Sequence, residues 1–412
     1  MVESEPDGRT PFQRDRDRIL YAGAFARLAE ITQVVSPEHG HVFHNRLTHS
    51  LKVGQIARRI AEKCIREQPE ELDAIDEIDP DAAEAAGLAH DLGHPPFGHV
   101  AEYELNRLVR AAGLKDGYEG NAQSFRIVVR LAVSDARDNL DLPIRGLNLT
   151  RRSLDGILKY PWGHGDREYP NKWGYYSTER DAFGWVREGR RARRRSVIAE
   201  IMDWADDITF AIHDLLDFYC AGRVPIDRCK GETSAERERV IGGMFKRKPK
   251  WEAGRARYVD ALVSLVEAFP FEPEERYTDS TDDRARLHDF STGLIRYFVD
   301  SFRLGPAGSV SIDPDARREV EVLKQFIWEY VIENPELAVP QSGQRTAIRT
   351  VFERLVQAID GKEYYLFPAL YRADIEQSNG KASRIRIVAD CISGMTEREL
   401  MHIYRGLQGM TV

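Results

Sequence analysis

The chain has 412 residues, of which 42% are hydrophobic and 31% are charged, and its formal net charge is −8. These totals are typical of a globular protein, and the negative charge argues against a nucleic-acid coat protein while leaving room for a local basic site. The four cysteines form no C-x-x-C pair, and no stretch approaches the roughly 18 apolar residues of a membrane helix, so we expect a cytoplasmic protein without disulfides, zinc ribbon or membrane span.

The first predicted helices precede a loop and a helix that carries a histidine. Apolar residues keep helical spacing between positions 19 and 28, and Pro37 and Gly40 predict a loop over 35–44. Asn45 then opens a helix in which His49, Val53, Ile56 and Ile60 share one face. At this point His49 has two interpretations, a buried core residue or a metal ligand.

The key predicted helix follows an acidic stretch over 67–79. Asp79 is a good N-cap and Pro80 suits the first helical position, and the helix that follows is rich in alanine. Residues 87–99 read GLAHDLGHPPFGH, which places His90 and Asp91 at the helix end. We expect Gly93 to act as the C-cap.

An arginine run over 187–195 leads into the clearest helical periodicity of the chain, from Ser196 to about Tyr219. A solvated surface is one interpretation of the run, and a nucleic-acid-binding surface is another. Within the helix, Asp206, Phe210 and Asp214 are spaced by four, which predicts one ridge beside the buried stripe. A carboxylate there is costly unless it is paired or binds a metal ion.

Helical stripes continue through the rest of the chain, with no convincing series of alternating strands. They cover 255–269, 287–302, 317–332 and 347–359. No repeat or coiled-coil pattern is present. We therefore predict an all-α fold.

Two histidines and two aspartates from three predicted helices make a candidate metal set. His49, His90, Asp91 and Asp206 would leave positions open for water and substrate, which is typical of a catalytic metal site. Their mixture of nitrogen and oxygen donors suits Mn, Mg, Fe, Co or Ni. The order and spacing resemble those of the HD-domain metal phosphohydrolases.

Several further blocks resemble the deoxyguanosine triphosphate triphosphohydrolase family in its own order. They are RTPFQRDRDRI (9–19), TQV (32–34), HNRLTHS (44–50), HDLGHPPFGH (90–99), EGNAQS (119–124), GLNLT (146–150), LKYP (158–161), ADDI (205–208) and SGMT (393–396). The resemblance implies an HD-domain helical core over 36–235. It also implies an N-terminal segment, 1–35, that packs on this core, and a helical C-terminal region, 236–412, that is continuous with it.

The resemblance implies hydrolysis of deoxynucleoside triphosphates, of dGTP or of several dNTPs, to the deoxynucleoside and inorganic triphosphate. It implies that the four residues of the metal set bind a divalent ion. His94 and His99 would flank the α-phosphate, and Glu102 would pair with His99. The phosphate and sugar region would be lined by Gln33, Arg46, Lys159, Tyr160, Lys172 and Asp214.

Two positions depart from the family pattern, and other interpretations stay open. Phe210 stands where the family usually has Tyr, and Glu397 stands where it commonly has Asp. A second enzymatic interpretation is an HD phosphodiesterase or phosphatase acting on another nucleotide. A non-enzymatic interpretation is a regulator that binds nucleotides or single-stranded DNA. The family also implies a homo-oligomer, either a hexamer or another assembly built from dimers.

Overall fold

The computed structural model describes residues 8–34, 45–72, 78–132, 146–190, 193–231 and 234–410, and this part of the chain is predominantly helical. The predicted all-α class is confirmed. The predicted loop over 35–44 lies outside the described residues. The α-helices are α1 (Pro11–Leu20), α2 (Gly23–Ala26), α3 (Arg46–Glu67), α4 (Pro69–Leu72), α5 (Pro80–Ala89), α6 (His99–Ala111), α7 (Gly120–Arg126), α8 (Arg151–Ile157), α9 (Arg180–Val186), α10 (Val197–Thr209), α11 (Leu215–Cys220), α12 (Ala235–Arg247), α13 (Arg255–Ala268), α14 (Thr281–Asp300), α15 (Pro314–Ile327), α16 (Ala338–Asp360), α17 (Ala369–Gln377), α18 (Lys381–Ser393) and α19 (Glu397–Leu407).

Shorter helical segments join or extend these helices. Three are π-helical, namely Ile127–Leu131, Phe210–Asp214 and Trp328–Ile332. The 3₁₀ turns are Arg27–Glu30, Ser177–Glu179, Asp227–Cys229, Pro249–Gly254, Pro306–Gly308, Pro335–Leu337 and Tyr364–Leu366.

A small β-hairpin interrupts the helices. Strand β1 (Phe302–Gly305) pairs antiparallel with β2 (Ser309–Ile312), and Phe302 lies opposite Ile312. The prediction that the helix over 287–302 reaches Phe302 is wrong, because α14 ends at Asp300 and the buried Phe302 begins β1. Each strand has only four residues, which gives too little alternation for a strand signal in the sequence.

Helices α3 and α5 pack closely because both carry glycine where they meet. A Cβ added to Gly87 would lie 2.7 Å from Gly54 Cα, so Gly87 has no space for a side chain. The neighbouring alanines of α5 are fully buried. Small side chains thus bring the end of α5 close to α3, which positions the residues that follow Ala89.

Helices α3 and α5 begin at the predicted residues, whereas α5 ends at a different residue from the one predicted. Asn45 caps α3, and Asp79 caps α5 with Pro80 at its first position. The prediction that Gly93 is the C-cap is wrong, because α5 ends at Ala89 with His90 at the C-cap position, and Gly93 is not among the residues with positive φ. A Cβ on Gly93 would lie 2.2 Å from the Gly120 carbonyl oxygen, so close packing against the start of α7 explains this glycine.

The long helix predicted from Ser196 to Tyr219 contains a π-helical segment. Ser196 caps α10, and the segment Phe210–Asp214 connects α10 to α11. A π turn widens the helix by one residue, so the single ridge predicted for a continuous α-helix is interrupted after Thr209. Asp206 lies before this interruption and Asp214 within it.

Two large apolar clusters and a small one, formed by Ala122, Trp162, Trp173 and Tyr176, make up the core of the described residues. The largest cluster runs in sequence from Ile19 to Val331, and it includes the buried Phe25 and Leu28 of the N-terminal part. The second large cluster joins α6 to α16, α18 and α19. Domain boundaries at residues 35 and 235 stay a prediction. No helix among the described residues has the length and apolar character needed to cross a membrane.

Candidate active site

Helices α3, α5 and α10 bring His49, His90 and Asp206 together. One side-chain atom from each residue lies within 4.8 Å of the others. His49 Nε2 is 3.1 Å and His90 Nε2 is 3.6 Å from the same atom, Asp206 Oδ1. The two histidines are buried, and Asp206 is partly exposed. This group can hold a metal ion through two nitrogens and one oxygen.

The orientation of His90 fits a bound cation. Its Nδ1 donates to the Gly87 carbonyl oxygen at 2.7 Å, so Nε2 is free to act as a ligand. Nε2 is buried without a hydrogen-bond partner among the described residues, and it faces Asp91 Oδ1 at 3.4 Å. The Nε2 lone pair of His90 and the carboxylate oxygens of Asp91 and Asp206 converge at a buried position. Such an arrangement is costly unless a positive charge lies between these atoms.

Electrostatics reinforce this conclusion. Burial alone would lower the pKa of His90, but the charges of Asp91 and Asp206 raise it to about 9. The metal-free site therefore favours a proton on His90 at neutral pH. A metal ion would replace that proton, because a histidine must be neutral to bind it. For His49, burial outweighs the neighbouring carboxylates and lowers its pKa.

Asp91 and Asp206 share one arrangement, in which one oxygen faces the histidines and the other contacts a cation. Asp91 Oδ2 accepts from Arg46 at 2.6 Å, and Asp206 Oδ2 accepts from Lys159 at 2.9 Å. Burial would raise both carboxyl pKa values, but His90 together with these cations holds them well below the usual range. Both carboxylates are therefore ionised and oriented before any metal ion arrives. Asp91 lies outside the three-residue group and touches it through His90.

A second group lies beside the first and is formed by His94, His99 and Glu102. His99 Nδ1 lies 2.7 Å from Glu102 Oε2, so the predicted pair is present in the structure. The rings of His94 and His99 meet edge to face, with centroids 5.0 Å apart. Burial and the Arg46 charge lower the pKa of His94 to about 4, so His94 is neutral at pH 7.

Glu102 connects this second group to the start of α7 and to Lys172. Burial would raise its pKa, but the hydrogen bond from His99 and the charge of Lys172 hold it well below the usual range. Its Oε1 accepts from the Gly120 amide at 3.0 Å and lies 3.4 Å from Lys172 Nζ. Lys172 also donates to Glu119 at 3.0 Å. The carboxylate is fixed on all sides, which fixes the orientation of the His99 ring.

The remaining predicted residues are spread around these two groups. Tyr160 is partly buried and packs against Trp162, with ring centroids 5.5 Å apart. Asp214 is buried, and burial together with the charge of Asp217 raises its pKa well above the usual value. Gln33 Oε1 and Asp214 Oδ2 are buried and lack hydrogen-bond partners among the described residues, so both have acceptor capacity to spare.

Three residues that sequence reasoning missed support the site. Asp203 accepts from Lys159 at 2.8 Å and from Arg195 at 2.7 Å, and its position three residues before Asp206 could have revealed it. Glu119 caps α7 besides binding Lys172. Arg27 is buried and donates to the carbonyl oxygens of Leu92, His94 and Met395. Nothing in its sequence context distinguishes Arg27 from other arginines.

The described arginines of the 187–195 run form many contacts within the protein. Arg187 donates to Asp155 at 2.6 Å, and Arg193 to Asp166 at 2.8 Å. The Arg187 side chain is only 8% exposed, so a solvated surface is the wrong interpretation for this position. Arg195 also donates to the Lys159 carbonyl oxygen, and this end of the run therefore supports the site.

Of the two departures from the family pattern, Glu397 contacts the loop before His99. Glu397 Oε1 accepts from the amides of Thr32 and Phe97, at 2.7 and 3.1 Å. Glutamate at this position therefore joins the start of α19 to the segment before Gln33 and to the loop before His99. Phe210 begins the π-helical segment and is partly buried.

Comparison with known proteins agrees with this geometry. Residues 46–211 match the HD domain, and residues 310–406 match the phosphohydrolase-associated domain. A deoxyguanosinetriphosphate triphosphohydrolase-like protein of Corynebacterium efficiens is 34% identical over 100% of this chain and 94% of its own length. Proteins with the same name from Streptomyces coelicolor and Shewanella pealeana are 34% and 30% identical, over 98% and 95% of this chain and 95% and 90% of their own lengths.

The relatives match 95–100% of this chain, and the HD domain match includes the helices that carry both histidine groups. The HD domain match begins at Arg46 and ends just after Phe210, so it contains all four predicted metal ligands. The chain belongs to the deoxyguanosinetriphosphate triphosphohydrolase-like family of HD-domain phosphohydrolases, and its His and Asp side chains can hold a divalent metal ion.

Proposed function

We propose that the protein hydrolyses deoxynucleoside triphosphates, dGTP or several dNTPs, to the deoxynucleoside and inorganic triphosphate. Water would add to the α-phosphorus, and the bond between this phosphorus and the 5′ oxygen would break. The observation that carries the proposal is that the metal-holding group and the His99–Glu102 pair are in contact. Asp91 contacts both His90 and His94, and the His94 ring meets the His99 ring. The names of the relatives support the choice of substrate.

His49, His90, Asp91 and Asp206 would hold the metal ion, which is Mn, Mg, Fe, Co or Ni. When bound, such an ion polarises a phosphoryl oxygen and lowers the pKa of a water molecule. Arg46 and Lys159 each bind the outer oxygen of one ligand carboxylate and so keep the inner oxygen aimed at the ion. Both cations also add positive charge where a polyphosphate must bind.

His99 and Glu102 would move a proton during the reaction. The Nδ1–H of His99 donates to Glu102, which leaves Nε2 to accept or donate a proton at the reacting phosphate. The His99 side chain is 71% exposed, so substrate and solvent can reach it. His94 is neutral and buried, and it would flank the α-phosphate without adding charge.

Substrate contacts would come from residues that line the same region. Lys172 and Tyr160 would contact the phosphates, and Asp214 and Gln33 would contact the deoxyribose. The unpaired buried acceptors of Asp214 and Gln33 support this role, since a sugar hydroxyl could donate to them. Close fit of Gln33 against the sugar would exclude a 2′-hydroxyl and hence ribonucleotides.

The test is incubation of metal-loaded protein with each dNTP, singly and mixed, followed by chromatographic separation of the products. We expect inorganic triphosphate and deoxynucleoside in equal amounts. Release of monophosphate or of single phosphate groups would favour another HD phosphohydrolase reaction. Absence of triphosphate in every mixture, with metal bound, would exclude the proposed activity. A dimer-based oligomer, DNA binding and a cytoplasmic location stay predictions.

A further inference from the structure

A basic cavity lies at the start of α10, and Arg195 of its lining shares the Asp203 carboxylate with Lys159. Its volume is about 440 Å³, within the range of small-molecule sites. Three arginines line it, namely Arg194, Arg195 and Arg317, and Glu200 is the one acidic residue in its described lining. The turn of the β-hairpin closes one side with Gly308, Ser309 and Val310.

The three arginines come from two separate parts of the chain, and their guanidinium groups are partly fixed. Arg317 on α15 stacks over the buried Trp204 ring at 5.5 Å, and Trp204 is itself anchored by a hydrogen bond to Phe298 O. Arg195 is fixed by Asp203 at 2.7 Å and lies 3.6 Å from Glu200. Arginines held in place lose little entropy when they bind an anion.

The charge balance of the cavity favours an anion. Among the described residues Arg317 forms no ion pair within 4 Å, and Glu200 is the one carboxylate of the lining, on which Arg195 and Arg317 both act electrostatically. Arg194 and Arg195 immediately precede the first turn of α10, where the helix dipole adds positive potential. Phosphate groups match the planar, bidentate donors of arginine better than a single carboxylate does.

We propose that this cavity binds a phosphate-bearing small anion at a site separate from the proposed catalytic centre. The site goes beyond the proposed function, because neither the metal group nor the His99–Glu102 pair takes part in it. Arg195 connects the two places, since the same Asp203 carboxylate accepts from Arg195 and from Lys159.

Hydrogen exchange on the full-length, metal-free protein tests the proposal without any turnover. The probes are inorganic phosphate, inorganic triphosphate, a deoxynucleoside monophosphate and an oligothymidylate, all at one ionic strength, because salt screens exposed charges. We expect phosphate-bearing small anions to protect residues 302–312 and 193–200. Triphosphate protecting more than the monophosphate indicates an oligophosphate ligand, and the reverse order indicates a nucleotide.

Matched variants test whether the protection from hydrogen exchange comes from an anion bound in the cavity. Arg317→Gln should weaken triphosphate binding about tenfold, the effect of one lost charge-assisted hydrogen bond. Arg318→Gln removes the same charge from the next residue of α15, outside the cavity lining, and should leave binding unchanged. Arg194→Gln provides a second cavity variant that leaves the Arg317–Trp204 contact intact.

Three outcomes would overturn the proposal. One is protection confined to residues 90–102, which would place the anion in the proposed catalytic centre alone. Another is equal weakening by Arg317→Gln and Arg318→Gln, which would indicate non-specific attraction. The last is protection of residues 302–312 by the oligothymidylate only, which would make the surface a nucleic-acid interface. Failure of dNTP hydrolysis would leave all of these readouts unaffected.

Discussion

The two histidine groups of the site differ in burial and in what fixes them. The His49 side chain is 1% exposed, and its group is held by three helices. The His99 side chain is 71% exposed, and its group lies at the start of α6, after a loop. The two buried histidines of the first group suit an ion that must stay bound, whereas the exposed His99 ring of the second group suits proton exchange with substrate and solvent.

The loop between the groups is held by contacts from distant parts of the chain. Phe97 and Gly98 have φ values of 67° and 56°, and a left-handed conformation is costly for phenylalanine. Glu397 accepts from the Phe97 amide, and Arg27 donates to the carbonyl oxygens of Leu92 and His94. Separate anchors therefore fix the distance between the metal-holding group and the proposed proton-transfer pair.

The largest expected effect comes from breaking the inner group. Asp206→Ala removes the oxygen that lies 3.1 Å from His49 Nε2 and 3.6 Å from His90 Nε2, so we expect metal binding and turnover to fall to the detection limit. Metal content measured by mass spectrometry and triphosphate release check this. Helical content by circular dichroism should stay nearly unchanged.

The adjacent carboxylate is the matched control for this variant. Asp207 lies on the same helix but pairs with Lys324 at 2.7 Å, away from the histidines. Asp207→Asn should keep the metal ion and most of the activity. Activity that survives Asp206→Ala, or metal loss equal in both variants, would contradict the proposed ligand set.

The next effect comes from breaking the outer group alone. His99→Gln keeps the size of the side chain but removes proton transfer, so we expect kcat to fall by about 10²–10⁴-fold. Metal content should equal that of the unaltered protein, because His99 lies outside the inner group. Parallel loss of metal would show that the two groups do not have separate roles.

The inner group was the more predictable of the two. His49 and Asp206 lie on helices whose apolar periodicity indicated their faces, and His90 directly follows the predicted alanine-rich helix. The order and spacing of the HD residues also resembled a known family. The all-α class followed from the same periodicity. The pairing of His99 with Glu102, which the resemblance implied, is present as a contact of 2.7 Å. Residues three apart at a helix start can meet in this way.

The parts that were not predicted depend on long-range contacts or small backbone changes. The contact of Arg27 with the loop before His99 joins residues 65 and 67 positions apart, which no local pattern encodes. The π-helical segment at Phe210 and the short hairpin at Phe302 alter the backbone conformation of only a few residues each. Hydrophobic periodicity measured over a long window does not detect such short segments.

A smaller effect is expected from removing Lys159, the cation that contacts the outer oxygen of Asp206. Lys159→Gln removes the donor to Asp206 Oδ2 and leaves Oδ1 in place. Loss of such an outer contact typically weakens metal binding by about 10–100-fold. Isothermal titration calorimetry with the metal ion measures this change in affinity.

Lys324→Gln is the comparison for Lys159→Gln, because Lys324 neutralises the neighbouring Asp207 in the same way. Its metal affinity should match that of the unaltered protein. Equal weakening in both variants would mean that general charge, rather than the contact with Asp206, controls the affinity of the inner group.

The smallest expected effect tests whether the contact of α3 with α5 positions the inner group. Gly87→Ala adds a Cβ 2.7 Å from Gly54 Cα, and overpacking of this kind costs about 1–3 kcal/mol. Alanine's better helix propensity offsets at most about 1 kcal/mol of this cost. Urea unfolding should therefore show a lower midpoint, with a modest loss of metal affinity, because the Gly87 carbonyl oxygen orients His90.

Gly293→Ala separates packing from helix propensity. Gly293 lies within α14 and an added Cβ there meets no atom within 4 Å, so this variant should be more stable by up to about 1 kcal/mol. Its metal affinity should not change. If Gly87→Ala were as stable as Gly293→Ala, the two helices would have room to separate, and the buried group would owe its position to its own ligands rather than to the packing beneath it.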